Sequence, residues 1–481
     1  MSDVMSFLGI ITGLGLLIVM AYRGWSVLFL APVTALVAAG FSGFPLLASW
    51  TQIFMEAAGW YIIRFFPLFL LGAVFAKLMN DSGSVQIIAD FMIRKLGKER
   101  SILAVVLAGA LLTYGGVSLF VAFFVLVPMA QALFRAGDIP RRLIPATIIL
   151  GTSTFTMTAL PGSPAIQNVI PVAFFGTSIY AAPVLGLIAA LIMLGIGLAW
   201  LRYAQRMAVV RKEGYGAAKF FEVDTEKMRE HATTASTFDP VEMAHGGFKD
   251  GQPSVFVAFV PCLVMICCNL VLSLIVFPLS EASFLEQPAW GSTSLDSVAG
   301  IWAVMASLSL AILTLVVLNF KRLTHLRDVI DSGANAAVLP AMSVASLVGF
   351  GAVIAALPAF DAIREWVLNI EGGPLVSLAV ATNILAALTG SASGGLTIAL
   401  EALGPAYMEL AGQTGIDPAV MHRVATIGAG TLDILPHNGA IVTLLVLCGV
   451  THREGYKDIA MTGIATSLAA LVVVVALGGV F

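Results

Sequence analysis

The sequence predicts an all-α, polytopic membrane protein made of two inverted repeats, and three observations support this fold class. First, 59% of the 481 residues are hydrophobic and only 11% are charged, whereas soluble domains carry about 25% charged residues. Second, apolar runs recur along the chain at about 20 residues, the length that crosses a ~30 Å hydrocarbon core. Third, one set of chain interruptions occurs twice with the same spacing. A soluble fold could not bury this much apolar surface.

Short basic loops predict the orientation of the spans, because lysine and arginine favour the cytoplasmic side. The first apolar run, residues 5–22, has no basic residue before it, so we interpret it as a retained span and not as a signal peptide. Arg23 follows it, and further basic clusters lie at 94–100, 135–142 and 321–327. Placing every basic loop in the cytoplasm puts the N-terminus outside. The net charge of −3 gives no reason to expect a nucleic-acid partner.

Two apolar stretches are interrupted near their centres by glycine-rich segments. Residues 101–134 contain YGGVS at 114–118, and residues 374–411 contain TGSASGG at 389–395. The first stretch has basic clusters on both flanks, so both of its ends belong on the cytoplasmic side. The sequence therefore predicts a re-entrant hairpin there, and a second hairpin at 374–411 that opens to the outside.

Each hairpin is followed by a span that is broken in the middle. The first span contains GTST at 151–154 and LPGSP at 160–164, and the second contains GTLD at 430–433 and LPHNG at 435–439. Proline removes a helical hydrogen bond, and glycine weakens a helix. The distance from Gly115 to Pro161 is 46 positions, and so is the distance from Gly390 to Pro436. This shared spacing indicates a repeat.

The repeat divides the chain into two membrane units and a linker. Three spans, a hairpin, a broken span and a further span fit into residues 1–200, and the same order fits into residues 254–481. The polar segment 201–253 between them is interpreted as a cytoplasmic linker. Paired broken helices in inverted repeats are typical of secondary transporters with a binding site near the bilayer midplane.

The four interruptions are the candidate binding region for a small organic anion. Lipid cannot satisfy unpaired backbone groups, so the four breaks should converge on a polar cavity. Helix N-termini at the breaks favour an anion, although small residues also serve close helix packing, which stays open for individual serines and threonines. The predicted substrate-binding residues are Gly115, Gly116, Ser118, Thr152, Ser153, Thr154, Gly162, Ser163, Gln167, Asn168, Gly390, Ser391, Ser393, Gly394, Thr431 and Asn438.

Asp433 and His437 are the candidate coupling residues. A carboxylate inside a span is costly unless it is paired or hydrated, so we predict that Asp433 is either a proton carrier or a Na⁺ ligand. His437 lies four residues later and either shares a proton with Asp433 or caps a helix. The sequence contains no nucleophile–base constellation, metal-ligand spacing or nucleotide fingerprint. We therefore expect no enzyme activity, no metal and no cofactor.

Motifs in both halves of the chain resemble the gluconate permease (GntP) family. The run ALPGSPAIQN at 159–168, with Ile170-Pro171 and Phe175-Gly176-Thr177, carries the resemblance, together with TGSAS at 389–393 and LPHNG at 435–439. The resemblance implies the ion-transporter superfamily, with two inverted repeats and paired re-entrant hairpins. It also implies proton-coupled import of gluconate or a related hydroxy acid such as 3-hydroxybutyrate. A homodimer in the bacterial inner membrane is implied as well, with the two hairpin tips and two breaks as the substrate region.

Two alternatives stand beside a carrier for a hydroxy acid. A Na⁺/H⁺ type cation antiporter of the same architecture would use Asp433 to bind ions only. An intramembrane enzyme or a receptor is a third class, but the enzyme would need a nucleophile or metal set, and the receptor would need a larger soluble domain. We expect alternating access, with the hairpins gating opposite faces of the membrane.

Overall fold

The computed structural model describes residues 2–23, 25–96, 100–117, 119–216, 253–323, 325–368, 370–436 and 438–479. Two predicted site residues, Ser118 and His437, lie outside the described residues, as does most of the linker, 217–252. Throughout the described ranges the regular secondary structure is helical. The predicted all-α class is confirmed.

The first half contains the predicted order of elements. Its helices are α1 (Ser2–Tyr22), α2 (Val27–Phe41), α3 (Leu46–Asp81), α4 (Ser84–Leu96), α5 (Ser101–Tyr114), α6 (Leu119–Ala136), α7 (Leu143–Thr152), α8 (Phe155–Thr158), α9 (Ile166–Phe175) and α10 (Pro183–Val210). The first three are spans, and α4 is the amphipathic helix before the hairpin. Helices α5 and α6 form the first hairpin, α7 to α9 form the broken span, and α10 is the further span.

The second half repeats this order. Its helices are α11 (Val255–Leu279), α12 (Leu295–Asn319), α13 (Leu326–Ala355), α14 (Phe360–Leu368), α15 (Pro374–Thr389), α16 (Ala392–Thr414), α17 (Pro418–Leu432), α18 (Gly439–Cys448) and α19 (His452–Gly478). Helices α15 and α16 form the second hairpin, and α17 and α18 form the second broken span. Both halves therefore have three spans, a hairpin, a broken span and a further span.

The packing of the helices is the same in the two halves. Helix α1 packs on α2 as α11 packs on α12, and α3 packs on α12 as α13 packs on α2. The first arm of each hairpin packs on the first part of its own broken span, α5 on α7 and α15 on α17. The second arm packs on the last part of the other half's broken span, α6 on α18 and α16 on α9. The hairpins and broken spans thus form one interlocked core, flanked by the spans α1–α3 and α11–α13.

The first arm of the first hairpin is shorter than the long spans. Helix α5 has 14 residues, and at about 1.5 Å per residue it reaches about 21 Å, less than the ~30 Å hydrocarbon core. By contrast, α3 has 36 residues and α10 has 28. Length alone does not distinguish arms from spans, because the second arm, α6, has 18 residues and α2, at the position of a span, has 15.

Helix α10 continues to Val210, ten residues into the range assigned to the linker. Arg64 lies in the middle of α3. Its guanidinium stacks over the Trp60 ring at 5.0 Å and donates to the carbonyl of Ala173 at 3.4 Å.

Candidate binding site

A cavity of about 260 Å³ lies where the four breaks meet. Both hairpin tips and both broken spans contribute to it, and the spans α3, α12 and α13 close the opposite side. The predicted convergence of the four interruptions is therefore what the structure contains. The site residues on its walls are Gly116, Thr152, Gln167, Gly390, Ser391, Ser393, Asp433 and Asn438.

Four helix N-termini point their first residues at this cavity. The lining includes Leu119 at the start of α6, Ile166 at the start of α9, Ala392 at the start of α16 and Ala440 at the start of α18. The free backbone N–H groups of a first helical turn carry partial positive charge. Lysine, arginine and histidine are absent from the described residues that line the cavity. An anion held here would therefore bind to backbone N–H groups and polar side chains.

Among the three of these helix starts whose cap residue the structure describes, α9 is the one without a side-chain acceptor at the cap position. The residue before it is Ala165, whereas α16 is capped by Ser391 and α18 by Asn438. The side chain of Gln167 has no hydrogen-bond partner among the residues that the structure describes. The start of α9 thus presents backbone donors and a side-chain amide to the cavity.

In the second half, a carboxylate lies beside the start of α16. Asp433 is close to the backbone N–H of Ala392, and it accepts a hydrogen bond from Nδ2 of Asn438 at 2.8 Å. The same amide donates to the carbonyl of Gly390 at 2.9 Å, and its oxygen accepts from the N–H of Ala440 at 2.7 Å. Asn438 therefore ties the second hairpin tip, Asp433 and the start of α18 together.

Three threonine hydroxyls on the cavity wall direct their protons into their own helices. Thr113 donates to the carbonyl of Gly109 at 2.9 Å, and Thr152 donates to that of Ile148 at 2.8 Å. Thr156 donates to the carbonyl of Thr152 at 3.0 Å. Each oxygen keeps lone pairs that can accept a hydrogen bond from a ligand hydroxyl.

The wall opposite the breaks is apolar. It consists of Leu68 and Phe69 from α3, Val304 and Leu308 from α12, and Val344 from α13. The cavity is therefore polar on the side of the hairpins and apolar on the side of the long spans. Such a division suits a small ligand with one charged end and one weakly polar end.

The remaining predicted site residues that the structure describes lie behind the lining. Their contacts are with protein: three glycines pack closely against neighbouring side chains, and the polar residues bond to nearby groups. These residues are Gly115, Ser153, Thr154, Gly162, Ser163, Asn168, Gly394 and Thr431.

Two of these polar groups illustrate why they face away from the cavity. Thr154 donates to the carbonyl of Leu150, and Thr431 donates to that of Ile427, both at 2.7 Å. This bond four residues back is a common alternative for threonine in a helix. Asn168 is fully buried, and its amide donates to the carbonyls of Ser163 at 2.9 Å and Ile179 at 2.8 Å.

Sequence reasoning missed a buried arginine and histidine behind the first break. Arg423 is 0% exposed and donates to the carbonyls of Thr158 at 2.9 Å and Ala181 at 2.8 Å. It also reaches Oδ1 of Asn168 at 3.1 Å, which lies 3.2 Å from Nε2 of His422. These bonds satisfy carbonyls that the break in the helix leaves unpaired. The signal was present, because an ionisable residue inside a span is a functional candidate by default.

Each hairpin is also bonded to its own half's break. The hydroxyl of Tyr114, at the end of α5, donates to the carbonyl of Pro161 at 2.8 Å. In the second half, the bond from Asn438 to Gly390 makes the corresponding link. The described residues contain no group of three or more His, Cys, Asp or Glu arranged to hold a metal ion.

A family model for GntP family permeases matches residues 5–480. The chain belongs to the GntP permease family. The resemblance found in the sequence is thereby confirmed. Membership makes the protein a multi-pass membrane transporter, not an enzyme, and it favours a permease over the cation antiporter.

Two relatives of this GntP-family permease come from Bacillus. The chain is 40% identical over 470 residues to the uncharacterized transporter YxjC of Bacillus subtilis (strain 168), covering 96% of this chain and 97% of YxjC. It is 25% identical over 375 residues to a gluconate permease of Bacillus licheniformis, covering 76% of this chain and 75% of that permease.

Two solved structures share the fold of the permease. One is MtrF of Neisseria gonorrhoeae, from a class of antimetabolite efflux pumps, with a TM-score of 0.53 and 16% identity over 89% of this chain and 83% of that chain. The other is the YdaH transporter of Alcanivorax borkumensis, with a TM-score of 0.52 and 18% identity over 89% of this chain and 87% of that chain. At these identities the likeness concerns the fold alone.

Proposed function

We propose that this permease imports a small hydroxy acid by proton symport, and that 3-hydroxybutyrate fits the cavity better than gluconate. The observation that carries the proposal is the cavity itself, where four helix N-termini meet a single carboxylate among the described lining residues. The gluconate permease of Bacillus licheniformis supports the choice of a hydroxy acid.

The substrate carboxylate is assigned to the start of α9. Its backbone N–H groups have no side-chain cap at Ala165, and the Gln167 amide is available beside them. An anion at a helix N-terminus is stabilised by these donors and by the helix dipole. The start of α16, at Ala392, already has the carboxylate of Asp433 beside it.

The substrate hydroxyl and carbon chain are assigned to the other walls. The Thr113, Thr152 and Thr156 oxygens can accept a hydrogen bond from a ligand hydroxyl, because their own O–H groups point to helix carbonyls. The apolar wall formed by α3, α12 and α13 suits a methyl group. Gluconate carries a hydroxyl on every carbon except that of the carboxylate, and burying these hydroxyls against apolar side chains leaves hydrogen bonds unmade.

Asp433 is assigned as the coupling site. A substrate anion and an ionised Asp433 in one small cavity repel each other, and the described lining residues include no cation to offset that repulsion. A proton on Asp433 removes the repulsion, so substrate and proton bind together. This thermodynamic link is what a symporter needs.

Alternating access is assigned to the hairpins, which we interpret as re-entrant gates on opposite faces of the bacterial inner membrane. Both tips line the cavity, through Gly116 in the first half and Gly390 in the second. The core of hairpins and broken spans would move against the long spans. A homodimer is part of the proposal, as the family resemblance implies.

The test is uptake by the purified protein in liposomes. Radiolabelled 3-hydroxybutyrate and gluconate are offered separately, with an inward proton gradient or with none. We expect gradient-driven uptake of 3-hydroxybutyrate that a protonophore abolishes, with slower uptake of gluconate. Folded protein that takes up neither acid would overturn the proposed function, and Na⁺-driven proton movement in the same vesicles would point to an antiporter.

A further inference from the structure

A buried ion pair lies outside the cavity, at the end of α3. Lys77 Nζ is 3.2 Å from Asp81 Oδ2, and the two side chains are 1% and 3% exposed. Among the residues that the structure describes, Lys77 is the only lysine classed as buried. Charged residues in this setting are costly, and they commonly mark the path of an ion or substrate.

The pair lies one helical turn beyond the cavity. Ala73 lines the cavity, and Lys77 follows it by four residues, or about 6 Å along the helix axis. On the facing helix, Ala336 lines the cavity and Gly333 lies one turn away. A Cβ at Gly333 would lie 3.3 Å from Cβ of Lys77 and 2.9 Å from Cα of Val74. The absence of a side chain at Gly333 therefore lets α13 close over the pair.

The predicted orientation puts this position between the cavity and the cytoplasm. Helix α3 ends at Asp81, shortly before the basic cluster at 94–100, and α13 begins shortly after the basic cluster at 321–327. Both basic clusters are predicted to be cytoplasmic. A substrate that leaves the cavity towards the cytoplasm along α3 would meet Lys77 first.

Asp81 is weakly held for a permanent structural contact. Within the described ranges, no hydrogen bond of good geometry reaches its Oδ2, and the one bond to its Oδ1 comes from Asn80, at 3.3 Å. A buried ion pair repays its desolvation only when the geometry is good and the remaining lone pairs are bonded. Exchanging Asp81 for another carboxylate at Lys77 therefore costs little.

We propose that Lys77 is a second, transient anion site, which exchanges Asp81 for the substrate carboxylate as the substrate leaves towards the cytoplasm. The inference rests on the proposed function, since it needs a carboxylate substrate that moves inward. Closing the pair after release seals the cytoplasmic side again.

The test compares wild type with the doubly neutral variant Lys77→Gln/Asp81→Asn, which keeps the approximate side-chain volumes. We expect unchanged affinity for 3-hydroxybutyrate in equilibrium binding. The maximal rate of uptake should fall about tenfold, because the variant lacks the charge that would bind the leaving carboxylate, and this fall corresponds to a barrier about 1.4 kcal/mol higher. Lys77→Arg should retain most of the rate. The matched control is Arg327→Gln/Asp331→Asn, which neutralises an exposed pair on α13 with a separation of 3.6 Å.

The outcomes separate this inference from the proposed function. A wild type that does not transport 3-hydroxybutyrate contradicts the function. A wild type that transports it, beside a doubly neutral variant with the same rate, contradicts the role of Lys77.

A second measurement uses wild type alone, so it tests the proposal even if the double variant does not fold. A small amine-reactive ester labels the protein in liposomes, and mass spectrometry reads the labelling of Lys77. We expect the labelling rate to rise with 3-hydroxybutyrate and to reach half of its maximum at the KM of uptake, because each turnover opens the pair. A labelling rate independent of substrate would overturn the proposal.

Discussion

Asp433 lies between groups from two different elements. The backbone N–H of Ala392 beside it belongs to the second hairpin, and the amide that donates to it is that of Asn438 in the break. A change of charge at Asp433 therefore alters a contact between the hairpin tip and the broken span. Proton binding at this carboxylate is in this way connected to the element that we propose as a gate.

Asp433→Asn should abolish the accumulation of substrate against its gradient but leave the exchange of substrate across the membrane. The amide is permanently neutral, so the substrate still binds but no proton is carried with it. In proteoliposomes we expect no uptake against a substrate gradient, while counterflow of preloaded 3-hydroxybutyrate continues. The matched control is Glu409→Gln, a carboxyl-to-amide change at an exposed position of α16, in the hairpin of the same half. Accumulation by Asp433→Asn at the wild-type level would show that the coupling site lies elsewhere.

Gln167→Leu should weaken substrate binding. The amide at the start of α9 is the proposed side-chain partner of the carboxylate, and a hydrogen bond to a charged group contributes roughly 1.5–3 kcal/mol, or about 10- to 100-fold in affinity. Isothermal titration with 3-hydroxybutyrate measures the change. Gln413→Leu, at an exposed position of α16, is the control. An unchanged affinity in Gln167→Leu would place the carboxylate elsewhere in the cavity.

The sequence predicted where the polar residues of the site lie along the chain better than which of their side chains face the cavity. Thr152 and Thr154 belong to one short motif, yet only Thr152 lines the cavity. A broken helix has no fixed period, so its pattern does not show which side faces inward. Arg423 was missed because it follows Asp417-Pro418, where the chain looks like a loop, and its partners Thr158 and Ala181 come from the other half.

The hairpin tips are the elements that bring backbone close to the cavity. Gly116 has φ +85° and Gly390 has φ +62°, a region that residues with a Cβ rarely adopt. A Cβ at Gly115 would lie 2.8 Å from Sγ of Cys262, so the first tip is packed tightly against α11. The shape of both tips therefore depends on glycine.

Gly390→Val and Gly115→Val should each reduce the uptake rate strongly while the protein still inserts into the membrane. A branched side chain strains the turn at Gly390 and collides with α11 at Gly115. Uptake of 3-hydroxybutyrate and size-exclusion profiles give the two readouts. Gly412→Val is the control, because a Cβ there meets no atom within 4 Å. Normal affinity and rate in both tip variants would show that the tips do not approach substrate.

At the element scale, the hairpins were predictable from sequence. The hairpins were predicted at 101–134 and 374–411, and the second arms of the observed hairpins end at Ala136 and Thr414. Glycine-rich segments interrupt apolar runs at these places, and this signal is local. The pairing of α6 with α18 and of α16 with α9 is not local. It depends on how the two halves of the chain cross each other, and no repeating pattern in the sequence indicates this crossing.

The two halves have the same order of helices but different chemistry. The residue three positions before the break proline is Asp433 in the second half and Thr158 in the first. Only one of the two breaks therefore supplies a carboxylate to the cavity. This asymmetry predicts one coupling proton for each substrate in each chain.

The long spans form the surface against which the core would move. In the proposed homodimer these spans also form the interface, so the moving parts of each chain work separately. The mass of the protein in lipid nanodiscs tests this arrangement, with two chains per particle as the expected result. A single chain per particle with full transport activity would contradict it.

Proton uptake on substrate binding is the most direct test of coupling at Asp433. Purified protein in weakly buffered detergent solution is mixed with saturating 3-hydroxybutyrate, and a pH indicator records the protons bound. We expect about one proton to be taken up for each substrate bound by wild type, since the substrate anion and an ionised Asp433 repel each other in one cavity. We expect none for Asp433→Asn at equal substrate occupancy. Equal proton uptake by both proteins, or none by wild type, would show that Asp433 does not couple proton and substrate.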